Sequence, residues 1–164
     1  MANEGALQVL SQALRLEQEG REFYLAAAEN TADQRGKEVF LSLANDEQKH
    51  ADMVRRQLNA VEGDGAYVLL PDLDVASIDV DDKLFPGTDA DISAITGDAA
   101  DDLEALAIAL ENEVKSYDLY RKAAQDAVDP VAKTVYTWLA SAERTHFDLL
   151  MSNWQSLADR SGWV

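Results

Sequence analysis

Residues 7–61 recur as residues 103–157 without a gap, and sixteen of the 55 aligned positions are identical. Two copies at an offset of 96 residues are too few and too long for a solenoid; they read as the two halves of a duplicated fold. Several identities are apolar, among them Leu7/Leu103, Leu10/Leu106, Leu14/Leu110 and Leu43/Leu139. The informative ones are polar: Glu17/Glu113, Tyr24/Tyr120, Asp33/Asp129, Glu47/Glu143 and His50/His146. Helical bias alone does not align the chain's only two histidines. Whatever forms in the first half has a counterpart in the second.

Each half carries apolar residues at helical spacing. Leu7, Leu10, Leu14, Tyr24 and Ala28 mark a first helix over about residues 4 to 30, and Phe40, Leu43, Val54 and Val61 a second over 35–61. Asp33 suits the N-cap between them. The second half repeats this with Leu103, Leu106, Leu110, Tyr117, Tyr120 and Ala124, then Val135, Leu139, Leu150 and Trp154. There Asp129 is the cap, and Pro130 occupies the first helical position. Short turns make each pair an antiparallel hairpin. Residues 62–98 hold four glycines, two prolines and ten acidic residues against one lysine, and read as a long crossover. The expected architecture is therefore all-α: a four-helix bundle of two hairpins joined by one long connection, in a single domain over residues 1–164.

Glutamates interrupt the apolar stripes. Glu17 follows Leu7, Leu10 and Leu14; Glu113 follows Leu103, Leu106 and Leu110. Glu47/His50 and Glu143/His146 are each one helical turn apart, so each pair shares a face and can grip one ion. Depth agrees as well. Each glutamate lies 15 residues from the centre of its turn, roughly 22 Å along a helix, so all four carboxylates meet mid-bundle. Four buried carboxylates need counter-charge. Two divalent ions supply it, and two Glu/His pairs with two bridging-capable glutamates, Glu17 and Glu113, suit iron, with manganese or a mixed pair as alternatives. Tyr24 and Tyr120 lie two turns beyond Glu17 and Glu113. Their phenols either bond a carboxylate from the opposite hairpin, or relay a radical, or only pack. Trp138, Trp154 and Trp163 read as packing.

The chain has no cysteine, which excludes disulfides, thiolate zinc, iron–sulfur clusters and a Cys₄ iron site. A formal net charge of −17 argues against nucleic acid and anionic membranes as partners. It favours cations at the surface, and equally favours plain solubility. No apolar run is long enough to span a bilayer, and the first residues lack a signal-peptide pattern, so a cytoplasmic location is expected.

Glu17…Tyr24, Glu47-x-x-His50, Glu113…Tyr120, Glu143-x-x-His146 and the crossover together resemble the ferritin-like superfamily, in particular its rubrerythrin-type branch. The segment from Leu16 to Tyr24 is similar to the first helix of such proteins. The resemblance implies a diiron carboxylate centre held by Glu17, Glu47, His50, Glu113, Glu143 and His146, with Tyr24 and Tyr120 beside it. It implies reaction with hydrogen peroxide or O₂, an oxidoreductase or ferroxidase served by a separate electron donor, and a homodimer or larger assembly. Iron binding or storage with little turnover is the alternative, and a relic that binds zinc or nothing a third. Two departures stand out. Without cysteine there is no rubredoxin-type iron. The family's additional glutamate, one turn after the third-helix ligand, is Ser116 here, and its repeat equivalent is Gly20.

Overall fold

The computed structural model describes residues 2–71, 73 and 98–164. Among the described residues there are four helices: α1 (Ala2–Asn30), α2 (Gln34–Asp64), α3 (Asp98–Asp126) and α4 (Pro130–Ala158). α1 packs along α2, α3 along α4, and α1 against α3, which makes an all-α four-helix bundle of two hairpins. The crossover expected over 62–98 is shorter at its start, because Glu62, Gly63 and Asp64 continue α2. Most of its remainder lies outside the described residues. Among the described residues, no helix is long and apolar enough to cross a membrane.

The turns form where their chemistry requires. Asp33 adopts extended backbone and accepts from the Arg35 and Gly36 amides at 2.8 and 3.1 Å. Asp129 accepts from Val131 and Ala132 at 2.7 and 3.3 Å, and Pro130 opens α4 where no amide is needed. α2 closes on Gly65, whose φ of 71° puts it in the left-handed region that favours glycine.

Structural repetition extends past the sequence repeat. Gln57 clamps the Val68 backbone, donating to its carbonyl at 2.7 Å and accepting from its amide at 2.9 Å. Its counterpart Asn153 accepts from the Val164 amide at 3.0 Å, and Val164 stands 96 residues after Val68. Each clamp lays an aromatic side chain back on the bundle. Tyr67 packs edge-on against Tyr136, and Trp163 edge-on against Phe40. Trp163 comes so close to α2 that a Cβ on Gly36 would sit 2.4 Å from its ring.

The apolar interior is divided. One cluster gathers Tyr24, Phe40, Leu43, Leu103, Leu106, Leu150 and Trp154; the other gathers Leu10, Val54, Val61, Tyr120, Val135 and Leu139. Along every helix the change from one cluster to the other falls at a glutamate or a Glu/His pair.

Candidate metal centre

That boundary is a polar layer. Glu17 comes from α1, Glu47 and His50 from α2, Glu113 from α3, and Glu143 and His146 from α4. All six are buried, none more than 6% exposed. The structure brings all six together. His50 Nδ1 lies 3.1 Å from Glu143, 3.4 Å from Glu17 and 3.5 Å from Glu47. His146 Nδ1 lies 3.2 Å from Glu47 and 3.6 Å from Glu113. The imidazoles stack, with ring centroids 5.3 Å apart and planes inclined by 20°.

Two details correct the sequence reading. Each histidine's nearest carboxylate comes from the opposite hairpin, not from the glutamate one turn before it. Moreover, Glu47 reaches both histidines, whereas Glu17 stands by His50 and Glu113 by His146. Glu47 thus stands between the two imidazoles, with Glu17 on the His50 side and Glu113 on the His146 side. Helical spacing shows which side chains share a face, but not which partner faces them across the bundle.

The tyrosine hydroxyls complete a reciprocal set. Tyr24 donates to Glu113 Oε1, and Tyr120 donates to Glu17 Oε1, each across to the other hairpin. Burial first, then the neighbouring carboxylates, push both phenols well above the usual tyrosine range, so they stay protonated donors.

Without metal the layer holds protons. Burial, with Glu47 next to it, raises Glu17 to about 8. Burial and the surrounding carboxylates raise Glu143 well above the usual range. Burial alone would depress the histidines. The close carboxyl groups of Glu143, Glu17 and Glu47 outweigh it at His50, and those of Glu113 and Glu47 lift His146 to about 10. Burial works to raise Glu47 as well, but the adjacent Glu17 carboxyl and both imidazoles hold it below the ordinary range.

The donor set fits metal. Glu17 Oε2, Glu113 Oε2, Glu143 Oε1 and the Nδ1 atoms of both histidines are buried without a hydrogen-bond partner, a costly arrangement unless something else binds them. Glu47, His50, Glu143 and His146 each place a ligand atom within 4.8 Å of the others. Carboxylate oxygens with one imidazole at each end suit two hard-to-intermediate divalent ions.

Two neighbours add to the sequence reading, which takes Trp138 as packing and does not single out Asp46. Asp46 Oδ2 lies 3.7 Å from His146 Nε2, behind the ring. Trp138, half-buried, meets His50 edge-on with centroids 5.6 Å apart. Their repeat equivalents are Ala142 and Ser42, so the duplication offered no signal for either. Ser116, the position of the missing additional glutamate, is also part of the site's surroundings. With Gly20, Leu16, Asn112 and Tyr24 it lines a cavity of about 80 Å³ that reaches Glu47, Glu113 and Glu143.

A sequence model of the family described as Rubrerythrin matches residues 8–153, most of the chain and all six residues of the polar layer. No curated protein matches the chain, and no solved structure does.

Proposed function

The chain belongs to the rubrerythrin family, and from that premise we propose that it is a non-haem diiron protein that reacts with hydrogen peroxide or O₂ and is re-reduced by a separate electron donor. The observation that supports this most is the partnerless set of buried carboxylate oxygens and imidazole nitrogens, converging from all four helices. In this reading Glu17 and His50 hold one ion, Glu113 and His146 the other, and Glu47 and Glu143 lie between. Two iron(II) ions bound there would supply two electrons, the number needed to take one peroxide to water.

The chain's own part is positioning and exclusion. Tyr24 and Tyr120 each fix one carboxylate oxygen of Glu113 and Glu17, leaving the other oxygen for a metal. The two apolar clusters seal the layer above and below. The cavity beside Gly20 and Ser116 admits only small molecules, which accords with peroxide or O₂ as the oxidant. With no cysteine to hold an electron relay, electrons must come from outside the chain. The test is anaerobic iron loading followed by stopped-flow mixing with peroxide. About two irons per chain and one oxidation per site, repeated only when a reductant is added, are expected. Iron uptake well below two per chain, or sustained turnover without any reductant, refutes the reading.

A further inference from the structure

The proposed function leaves an electron shortfall when the oxidant is O₂. Four electrons and four protons take O₂ to two waters, and two iron(II) ions supply two electrons. The other two must reach a layer buried inside the bundle. Two aromatic arms, related by the duplication, run outward from it. In one, Tyr24 stacks on Phe40 with centroids 6.2 Å apart, and Phe40 meets Trp163 at 5.4 Å. In the other, Tyr120 stacks on Tyr136 at 6.4 Å, and Tyr136 meets Tyr67 at 5.8 Å. The arms are geometric copies with different chemistry. A phenol gives up an electron together with its proton, whereas a phenylalanine ring is far harder to oxidise. The first arm is therefore interrupted at Phe40. Its outer end is closed too, because Trp163 is buried and its indole N–H donates to Asp102 at 3.2 Å. The second arm is phenolic throughout. Its inner end bonds Glu17, its outer two hydroxyls bond each other at 2.8 Å, and Tyr67 and Tyr136 line an open groove at the end of the bundle.

We propose that Tyr120, Tyr136 and Tyr67 form a one-sided path along which electrons from a small one-electron reductant at the groove reach the metal layer during reduction of O₂. This rests on the diiron reading. At the inner end, Tyr120 yields an electron while its proton moves along the hydrogen bond to Glu17. The proton returns when Tyr136 refills the ring. At the outer end, Tyr67 passes a hydrogen atom to Tyr136 along their shared bond. In net terms, each passage delivers one electron to the layer, leaves a neutral Tyr67 phenoxyl and releases one proton to water in the groove. One electron from the reductant and one proton restore the phenol. Two passages supply the two missing electrons.

Trp138 against His50 is the competing donor inside the same structure, and the experiment separates the two. Iron-loaded protein, with metal content measured, is mixed with O₂, freeze-quenched and examined by electron paramagnetic resonance, with ascorbate as the reductant and a nitroso spin trap followed by peptide mass mapping. A tyrosyl signal quenched by ascorbate is expected, with adducts on the Tyr67 peptide. Tyr136→Phe installs on this arm the residue its counterpart already has at Phe40, so the fold should accept it. It should abolish both the ascorbate quenching and the Tyr67 adduct while the radical persists inside. Tyr67→Phe should abolish the adduct and slow the quenching. Normal iron uptake and O₂ consumption, with quenching unchanged in Tyr136→Phe, no tyrosyl signal, or adducts on Trp138 instead, overturns the path alone. Failure of wild-type protein to bind iron or consume O₂ overturns the diiron reading and the path together.

Discussion

Metal uptake should release protons. Near pH 7 the metal-free layer holds protons on Glu17, near 8, and His146, near 10, and burial and neighbours shift Glu143 and His50 upward as well. Glu47 is held ionised and contributes none. Binding requires carboxylates and neutral imidazoles, so loading should expel at least about two protons per chain, those of Glu17 and His146. The cost is unequal. With His146 near 10, removing its proton at pH 7 costs about 4 kcal/mol, three units at about 1.4 kcal/mol each. Glu17, near 8, costs only about 1.4 kcal/mol. The sign follows: affinity falls as pH falls, by about ten-fold per pH unit for each proton displaced. Above pH 8 Glu17 is already ionised, so the count should drop by about one. Anaerobic calorimetric titration with manganese(II), in buffers of different protonation enthalpy, reads the count directly. Glu17→Gln should remove about one proton from it at neutral pH. Release of no proton or only one, unchanged between about pH 6 and 9, would mean that the free layer is ionised and solvated, and the reasoning would fail.

Other consequences can be measured on the metal-free protein. Glu17 and His146 both have raised folded-state values, so each contributes stability that is lost as pH rises through about 8 and about 10 respectively. Stability should therefore increase by about 1.4 kcal/mol per unit and group on acidification from about pH 10, His146 ceasing to contribute near 6.5 and Glu17 near 4.5, below which the depressed Glu47 reverses the trend; urea midpoints that are flat or fall across that range would contradict it. Tyr24→Phe or Tyr120→Phe strips a buried carboxylate of its donor and should cost about 1–3 kcal/mol in urea unfolding, with equal losses expected from the reciprocal geometry. Gly36→Ala should destabilise by about 1–3 kcal/mol despite alanine's better helix propensity, because its Cβ would meet the buried Trp163 ring; a higher melting temperature would show that the ring moves aside.

The helices, both capped turns and the six converging polar residues were legible because each rests on a local rule applied twice. Periodicity gave the buried faces, Asp33 and Asp129 gave the starts of α2 and α4, and equal distance from the turns gave the common depth. Tyr24 and Tyr120 were legible as alternatives, and the cross-hairpin bond is the one the structure shows. What failed needed the third dimension. Glu47 stands between the histidines because inter-helical rotation, not spacing, decides which carboxylate lies there. α2 ran past residue 61 because a polar end costs a helix little once Gly65 supplies the left-handed cap. Gln57 and Asn153 went unnoticed because they are not identical, although both do the same work on Val68 and Val164.

The failures share a direction. Residues that take part in contacts between the two hairpins at the polar layer are identical in the two halves: Glu17/Glu113, Glu47/Glu143, His50/His146, Tyr24/Tyr120. Each bond there is made twice with exchanged roles, so changing one partner breaks a bond that its copy keeps. One layer further out the roles are no longer reciprocal, and the halves differ: Asp46 against Ala142, Trp138 against Ser42, Tyr136 against Phe40. As a result His146 has a carboxylate behind its ring and His50 an indole edge. Asp46, 3.7 Å from Nε2, is too far for a direct hydrogen bond but places a negative charge on that side alone. The duplicated sequence therefore specifies two like ends of the polar layer, while the outer residues give those ends different neighbours.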